Sequence, residues 1–401
     1  MNTKKTAWML VFAVILITSS SAYAAKVTTG EGRYFIKSNA NLWKNSLGVR
    51  NNFGNGFTAD LSDWQLRLVK IFKLEIEPVP QLYVLPATAT PEVKLSAATP
   101  KKVADRFIPT DQTPWGIELA YQDDALVSTT GGKDVMVAVL DTGVVKTHPD
   151  LTRRVADCKD FTTTKPTVTN GKCEDKNGHG THVAGIIAAD GGSDSLGIYG
   201  MAPEAKILAY RVCGNNGSCW ADDVAMAIRT AVDEKANVIN LSLGSDKPSQ
   251  LMQDAINYAT DKGAVVVAAA GNDGPYTGSI DYPAAYQNVI AVGALDADLY
   301  VPDWSSRGAN SESDADSINE KDIEFGAPGV NIESTWKEGY AILSGTSMAA
   351  PHISGLMAKL WNFSAEKPAQ DVRKVLKELT LDIMPTGEDN DSGFGFPQVA
   401  Q

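Results

Sequence analysis

The chain has 401 residues, 43% of them hydrophobic and 34 of them glycine, which fits a globular protein with a large core and excludes a disordered or fibrous one. Its 48 Asp+Glu outweigh 36 Lys+Arg for a formal net charge of −12, which argues against nucleic acid as a partner. With only four cysteines and four histidines, each of these residues is informative.

The first 24 residues carry Lys4 and Lys5, then an apolar run, then Ala22-Tyr23-Ala24. These are the charged, apolar and small-residue regions of an export signal cut near Ala24. The run is short for a membrane span, which needs about 20 apolar residues, and no later stretch is long enough. Residues 25–104 follow as a small α+β unit, in which "RYFIKS" and "FKLEIEP" read as strands and "LSDWQLRLVKI" as a helix before the second. Residues 26–104 hold eleven Lys/Arg against six Asp/Glu, net +5; with Lys4 and Lys5 set aside, residues 105–401 carry net −19. The unit ends in "PATATPEVKLSAATPKK", a stretch of exposed-linker character.

From residue 105 to 401, apolar runs alternate with amphipathic segments. "VMVAVL", "AKILAYRV", "NVINLSLG", "AVVVAAAGN" and "NVIAVGAL" read as buried strands. "GTHVAGIIAA", "ADDVAMAIRTAVDEK" and "SQLMQDAINYATDKG" read as helices between them. The alternation implies βαβ units and an α/β fold, a mostly parallel central sheet flanked by helices. Functional sites in such sheets form beyond the carboxyl ends of the strands. The acidic "GANSESDADSINEKDIE" (308–324) reads as a solvated surface loop. Export favours disulfides; four cysteines allow three pairings, and the polar loops they flank favour Cys158 with Cys173 and Cys213 with Cys219.

"LSGTSMAAPHISG" (343–355) sets Ser347 among small residues that let another backbone approach its hydroxyl. A reactive serine needs a base. His352 lies five residues on, along the same helix, where it points away; His148 in "THPDL" reads as a surface turn residue; His182 falls inside a helical turn, where packing or hydrogen bonding suits it. That leaves His179, flanked by Gly178 and Gly180 where a loop turns into a helix. Asp141 ends the apolar strand of "VAVLDTGV", where a carboxylate is expensive without a hydrogen-bonding partner, and an imidazolium is such a partner.

Taken in the order Asp141, His179, Ser347, with "AVLDTGV", "HGTHVAG", "NLSLG", "AAAGND" and "GTSMAAPH" in sequence, the chain resembles the subtilisin-like serine proteases from about Thr113 to its end. The resemblance implies that Ser347 is the nucleophile, His179 the general base, Asp141 its orienting partner and Asn272 an oxyanion donor acting with the Ser347 N–H. It implies a peptide substrate lying as a strand between Ser242-Leu243-Gly244 and the segment around Gly217, with Ala270 and Gly271 lining the pocket opposite Leu243. Cys219 stands where many relatives carry glycine, so a small disulfide loop there would stiffen the rim.

Residues 25–104 then resemble an inhibitory pro-region, docking by opposite charge and cut off between about Ala98 and Asp111 to leave a catalytic domain within residues 105–401. The alternative is an ordinary stalk. A structural calcium is also implied, with Asp111, Asp150, Asp194, Leu196 and Ile198 as ligands; ordinary surface acids are the alternative. Asp281, just before Tyr282-Pro283, matches the floor of the pocket for the residue preceding the cut, with Asp273 beside Asn272. A carboxylate there would favour Arg or Lys, against a default preference that is broad or large and apolar. The whole reading is of a secreted, monomeric, self-processing serine endopeptidase.

Overall fold

The computed structural model describes residues 32–85, 107–165, 167–310, 319–383 and 386–399. The export signal and the linker expected from the sequence lie outside these residues. The chain divides into two units, one built from residues up to Val49 with Gly54–Pro78, the other from Arg50–Phe53 and Val79–Gln401.

In the smaller unit, β1 (Arg33–Ile36) lies between β2 (Gly56–Asp60) and β3 (Ile76–Pro78) and is antiparallel to both, with β1 and β2 buried along most of their length. Helices α1 (Asn41–Leu47) and α2 (Asp63–Ile71) complete it. Ser62 and Gln65 form a capping box that satisfies the first N–H groups of α2. Ile36, Leu47, Phe57 and Val69 are its buried core. The expected strands and helix are present; α1 and β2, which lack a clear apolar period, are additional.

The larger unit begins with β4 (Gln81–Val84) and α3 (Trp115–Tyr121). Its main sheet is built from β5 (Met136–Asp141), β6 (Val155–Asp160), β7 (Thr169–Asn170), β8 (Lys206–Arg211), β10 (Val238–Leu241), β12 (Val265–Ala269), β13 (Val289–Leu295) and β14 (Phe325–Pro328). Between them in the chain come α4 (His179–Ala188), β9 (Ser218–Trp220), α5 (Ala221–Asp233), β11 (Leu243–Gly244) and α6 (Gln250–Asp261). After them come the antiparallel pair β15 (Ile332–Thr335) and β16 (Tyr340–Leu343), then α7 (Thr346–Leu360) and α8 (Pro368–Glu378).

The sheet order is β14-β13-β12-β10-β5-β8-β6-β7. Every neighbouring pair is parallel except β6 with β7. Central strands such as β10, β12 and β13 are buried along their whole length, as parallel strands covered on both faces must be. Helices α4 and α7 pack on each other, and α7 crosses β10, β12 and β13. The small residues of "TSMAAP" let α7 sit close to these strands; all six are buried. A second, three-stranded sheet has the order β9-β4-β11, with β4 antiparallel to both neighbours.

Both expected disulfides are present, Cys158–Cys173 and Cys213–Cys219. The acidic segment 308–324 is only partly described, and its end is not solvated. Asp322, Ile323 and Glu324 are buried, with Glu324 paired to Arg373. The strand that follows, β14, draws these residues into the core.

Candidate active site

Asp141 is the last residue of β5 and wholly buried. One carboxylate oxygen accepts the Thr142 N–H at 2.7 Å, and the His179 Nδ1–H spans both oxygens at 2.9 and 3.0 Å. The His179 ring is buried too. Burial opposes its charged form, but the charge and hydrogen bond of Asp141, with the charge of Asp175 behind them, hold its pKa above the ordinary 6.5.

Alignment of the pair comes from the start of α4. Gly178, with φ of 112°, is its N-cap, and a Cβ there would stand 2.5 Å from the Trp336 ring. The first N–H groups of any helix lack partners within the helix. Here Asp175 accepts from the N–H groups of Gly178 (2.7 Å) and Thr181 (2.9 Å), and from the hydroxyls of Thr142 and Thr181. Thr142 in turn accepts the Gly180 N–H at 3.0 Å. The end of β5 is thereby fastened to the start of α4, one residue from Asp141 on one side and one residue from His179 on the other. Asp175 was not singled out from the sequence, although an acid just before "NGHGTH" is a capping signal.

Ser347 is the second residue of α7. Its Oγ donates to the Ser242 carbonyl at 3.1 Å, while His179 Nε2 is buried with no hydrogen-bond partner. The backbone of Ser347 is held more firmly. Pro351 lacks the N–H that would bond the Ser347 carbonyl inside the helix, and the Ser242 hydroxyl donates to that carbonyl instead, at 2.9 Å. Ser242 Oγ accepts from Asn240 Nδ2 at 3.0 Å, and Asn240 Oδ1 accepts from Ser354 at 2.8 Å, a wholly buried chain.

Asn272 follows Gly271, whose φ of 114° turns the chain out of the strand β12. The Asn272 Oδ1 accepts from the Thr346 N–H (3.1 Å) and Thr346 hydroxyl (3.0 Å), so its amide group is oriented by the residue preceding Ser347. Gly271 N–H also meets the Thr346 hydroxyl. The structure thus brings Asp141 and His179 into contact, and joins Asn272 to the first turn of α7, where Ser347 lies.

The other three histidines are elsewhere engaged. His182 Nε2 donates to the Ile332 and Ala341 carbonyls, and burial lowers its pKa to about 3. His352 Nδ1 donates to the Met348 carbonyl, and burial lowers it to about 4. His148 corrects the sequence reading: it is only 4% exposed, edge-on to Tyr340, and its ring meets the Gly339 carbonyl. Those partners lie almost two hundred residues away, beyond the reach of any local pattern.

The walls expected to bind a peptide already hold one. Strand β4 lies between β9 and β11, with Tyr83 opposite both Ser218 and Gly244, and Val84 opposite Leu243. The Val84 N–H donates to the Gly217 carbonyl at 2.9 Å, and a Cβ on Gly217 would stand 2.6 Å from Val84. Ala270 accepts the Asp281 N–H, placing Asp281 behind Gly271.

Of the residues expected to hold calcium, Asp150 Oδ2 accepts the Ile198 N–H (3.0 Å) and the Tyr340 hydroxyl (2.7 Å). Asp194 accepts the Leu196 N–H at 3.2 Å. Asp111 accepts the Thr113 N–H, while its neighbour Gln112, not singled out from the sequence, reaches the carbonyls of Ser195 and Gly197.

A subtilase family model matches residues 132–395. A subtilisin from Bacillus sp. (strain TA39) is 44% identical over 376 residues, covering 89% of this chain and 87% of its own length. Subtilisin Savinase from Lederbergia lenta is 42% identical over 274 residues, 68% of this chain and 93% of its own. Among solved structures, sphericase superposes with a TM-score of 0.69 at 47% identity, covering 72% of this chain and 99% of that one.

Proposed function

Because the chain belongs to the subtilase family and is a serine endopeptidase acting on protein substrates, we propose that it is exported as a precursor and frees itself with the same Ser347 that it turns on its substrates. The observation that carries the site assignment is the buried Asp141–His179 pair, fixed at 2.9 Å, in a chain whose Ser347 is buried in the first turn of a helix that packs on the helix of His179.

In the reaction, His179 Nε2 takes the Ser347 proton as Oγ attacks the substrate carbonyl, and Asp141 holds Nδ1–H and stabilises the imidazolium that results. The oxyanion forms toward the Asn272 amide and the Ser347 N–H. His179 then protonates the leaving amine, and water repeats the sequence in reverse to release the acid. Substrate lies between Ser242-Leu243-Gly244 and Gly217, with Ala270 and Gly271 beneath, as β4 lies now.

Residues 25–104 are the partner that the monomeric enzyme must shed, after an export signal is removed near Ala24. The occupation of the cleft by residues 81–84 supports an inhibitory role. Both disulfides suit an oxidising compartment, and no helix among the described residues is long and apolar enough to cross a membrane.

A structural calcium fits the loop over Asp150. The Asp150 carboxylate and main-chain carbonyls lie there, oxygens suited to a hard cation, and the Gln112 amide, which now donates its NH2 to the Ser195 and Gly197 carbonyls, would offer its Oε1 on turning over. Asp150, Asp194, Leu196 and Ile198, with Asp111 and Gln112 at the chain that crosses them, would hold it.

The experiment is expression of wild type and Ser347→Ala in a protease-deficient host. Wild type should mature and take a fluorophosphonate label; the variant should stay a single uncut, unlabelled chain after signal removal. A variant that matures alone ends the self-processing reading, and a labelled one ends the assignment of Ser347.

A further inference from the structure

We propose that the pocket beside Ser347 selects a lysine or arginine side chain at the residue preceding the cut, received by Asp281 at its floor and by Asp246 and Asp273 at its mouth. This deepens the endopeptidase reading and rests on it.

The seated strand β4 locates the pocket. Tyr83 pairs with Gly244 and Val84 with Leu243, so one more step of the same register brings Leu85 alongside Ser242. The Ser242 carbonyl accepts from the Ser347 hydroxyl, so this step of the register lies alongside the residue that holds the nucleophile's hydroxyl. Leu85 is buried. Two glycines of the cleft walls abut Asp281. A Cβ on Gly244 would stand 2.8 Å from Asp281 Oδ2, and one on Gly271 would stand 2.9 Å from the same atom. The walls of the cleft are therefore bare where they meet this carboxylate.

Asp281 is fixed there by its backbone, its N–H donating to Ala270 and its carbonyl accepting from Ala285. Its side chain belongs to a residue only 3% exposed, and its carboxyl lies against that of Asp246. Oxygens of Asp246, Asp273 and Asp281 all lie within 4.8 Å of one another. A buried carboxylate with no donor is costly, and two more beside it increase the cost. Burial first, then Asp273 and Asp246, push Asp281 up to about 7, as befits a site missing its counter-charge.

Leu85 fills the position with methyl groups and brings no donor. A lysine or arginine in its place carries an apolar stem along the same walls and sets its cationic end several bonds deeper, where a guanidinium offers five N–H groups to the three carboxylates. A ligand of that length and charge would pair with Asp281 without leaving the strand register.

The test uses mature enzyme and peptide anilides that differ only in the residue before the bond: Arg, Lys, Leu or Phe. Wild type should cut after Arg or Lys with kcat/KM about tenfold or more above Leu, since a site built to pair a polar group discriminates strongly against a partner lacking it. Asp281→Asn should lower that ratio about tenfold or more, and Asp246→Asn, at the exposed mouth, by a smaller factor. Should Asp281→Asn fail to mature, benzamidine serves as the probe: competitive inhibition of wild type, weakened in Asp246→Asn, supports the pocket, and no inhibition overturns it. An active wild type that prefers Leu or Phe overturns the proposal while leaving the endopeptidase reading intact. So does loss of one calcium equivalent in Asp281→Asn by calorimetric titration, alongside a preference for Leu, which would make the acids a metal site. A wild type that cuts none of the anilides and takes no fluorophosphonate removes both readings.

Discussion

In the proposed mechanism the chemistry turns on His179, and its environment makes a signed claim. A base must be neutral to accept the Ser347 proton, so kcat/KM should rise with pH through the His179 pKa, with a midpoint above 6.5 because Asp141 stabilises the imidazolium. Asp141→Asn keeps the shape and removes the charge. The midpoint should then fall, and kcat should drop by about 10⁴ as the ring loses its enforced tautomer. A pH–rate profile of both enzymes checks this; an unmoved midpoint would mean that Asp141 does not face the working histidine. At the same scale, Asn272→Ala should cost about 10²–10³ in kcat with little change in KM, the loss that removing such a donor causes in a subtilisin.

Elements carry these residues into place, and the joint between β5 and α4 is the clearest case. Asp175 accepts from Gly178, Thr181 and Thr142 together, so Asp175→Ala orphans several buried donors at once. Stability should fall by about 2–5 kcal/mol, read from denaturant unfolding of the Ser347→Ala background to prevent self-digestion. In the active background, kcat should fall more than KM rises, and Asp175→Asn should recover part of both. Equal loss in the two variants would reduce Asp175 to a bystander. The same comparison shows what a sequence reveals. Strands β5, β10, β12 and β13 were legible because burial on both faces demands unbroken apolar runs, and Asp141 and His179 because they interrupt that pattern beside glycines. Strand β4 was not, since four residues in "QLYV", paired only with segments far along the chain, are too few to show a period of their own. Asp246 sits in "GSDKPS", which reads as any polar turn, and the burial of His148 depends on Tyr340, far along the chain.

At the scale of the whole molecule, the proposed calcium ties the crossing at Gln112 to the loop over Asp150. An ion bound only by the native state adds RT ln(1 + [L]/Kd) to stability, and chelation should lower Tm by several degrees, at about 2 °C or less for each kcal/mol lost in a chain of this size. No shift with a strong chelator, and no metal in the purified protein, would dispose of the site. The strand seated between β9 and β11 also has a quantitative consequence. While the chain is continuous, that strand competes for the cleft at an effective concentration on the order of millimolar, whatever the amount of protein in solution. Once a cut releases it, the same peptide competes only at its actual concentration. On the proposed self-processing, activation is a dilution event: freshly cut enzyme should remain blocked when concentrated and open as it disperses, so that the volume around the molecule, as much as the cut itself, decides when proteolysis begins.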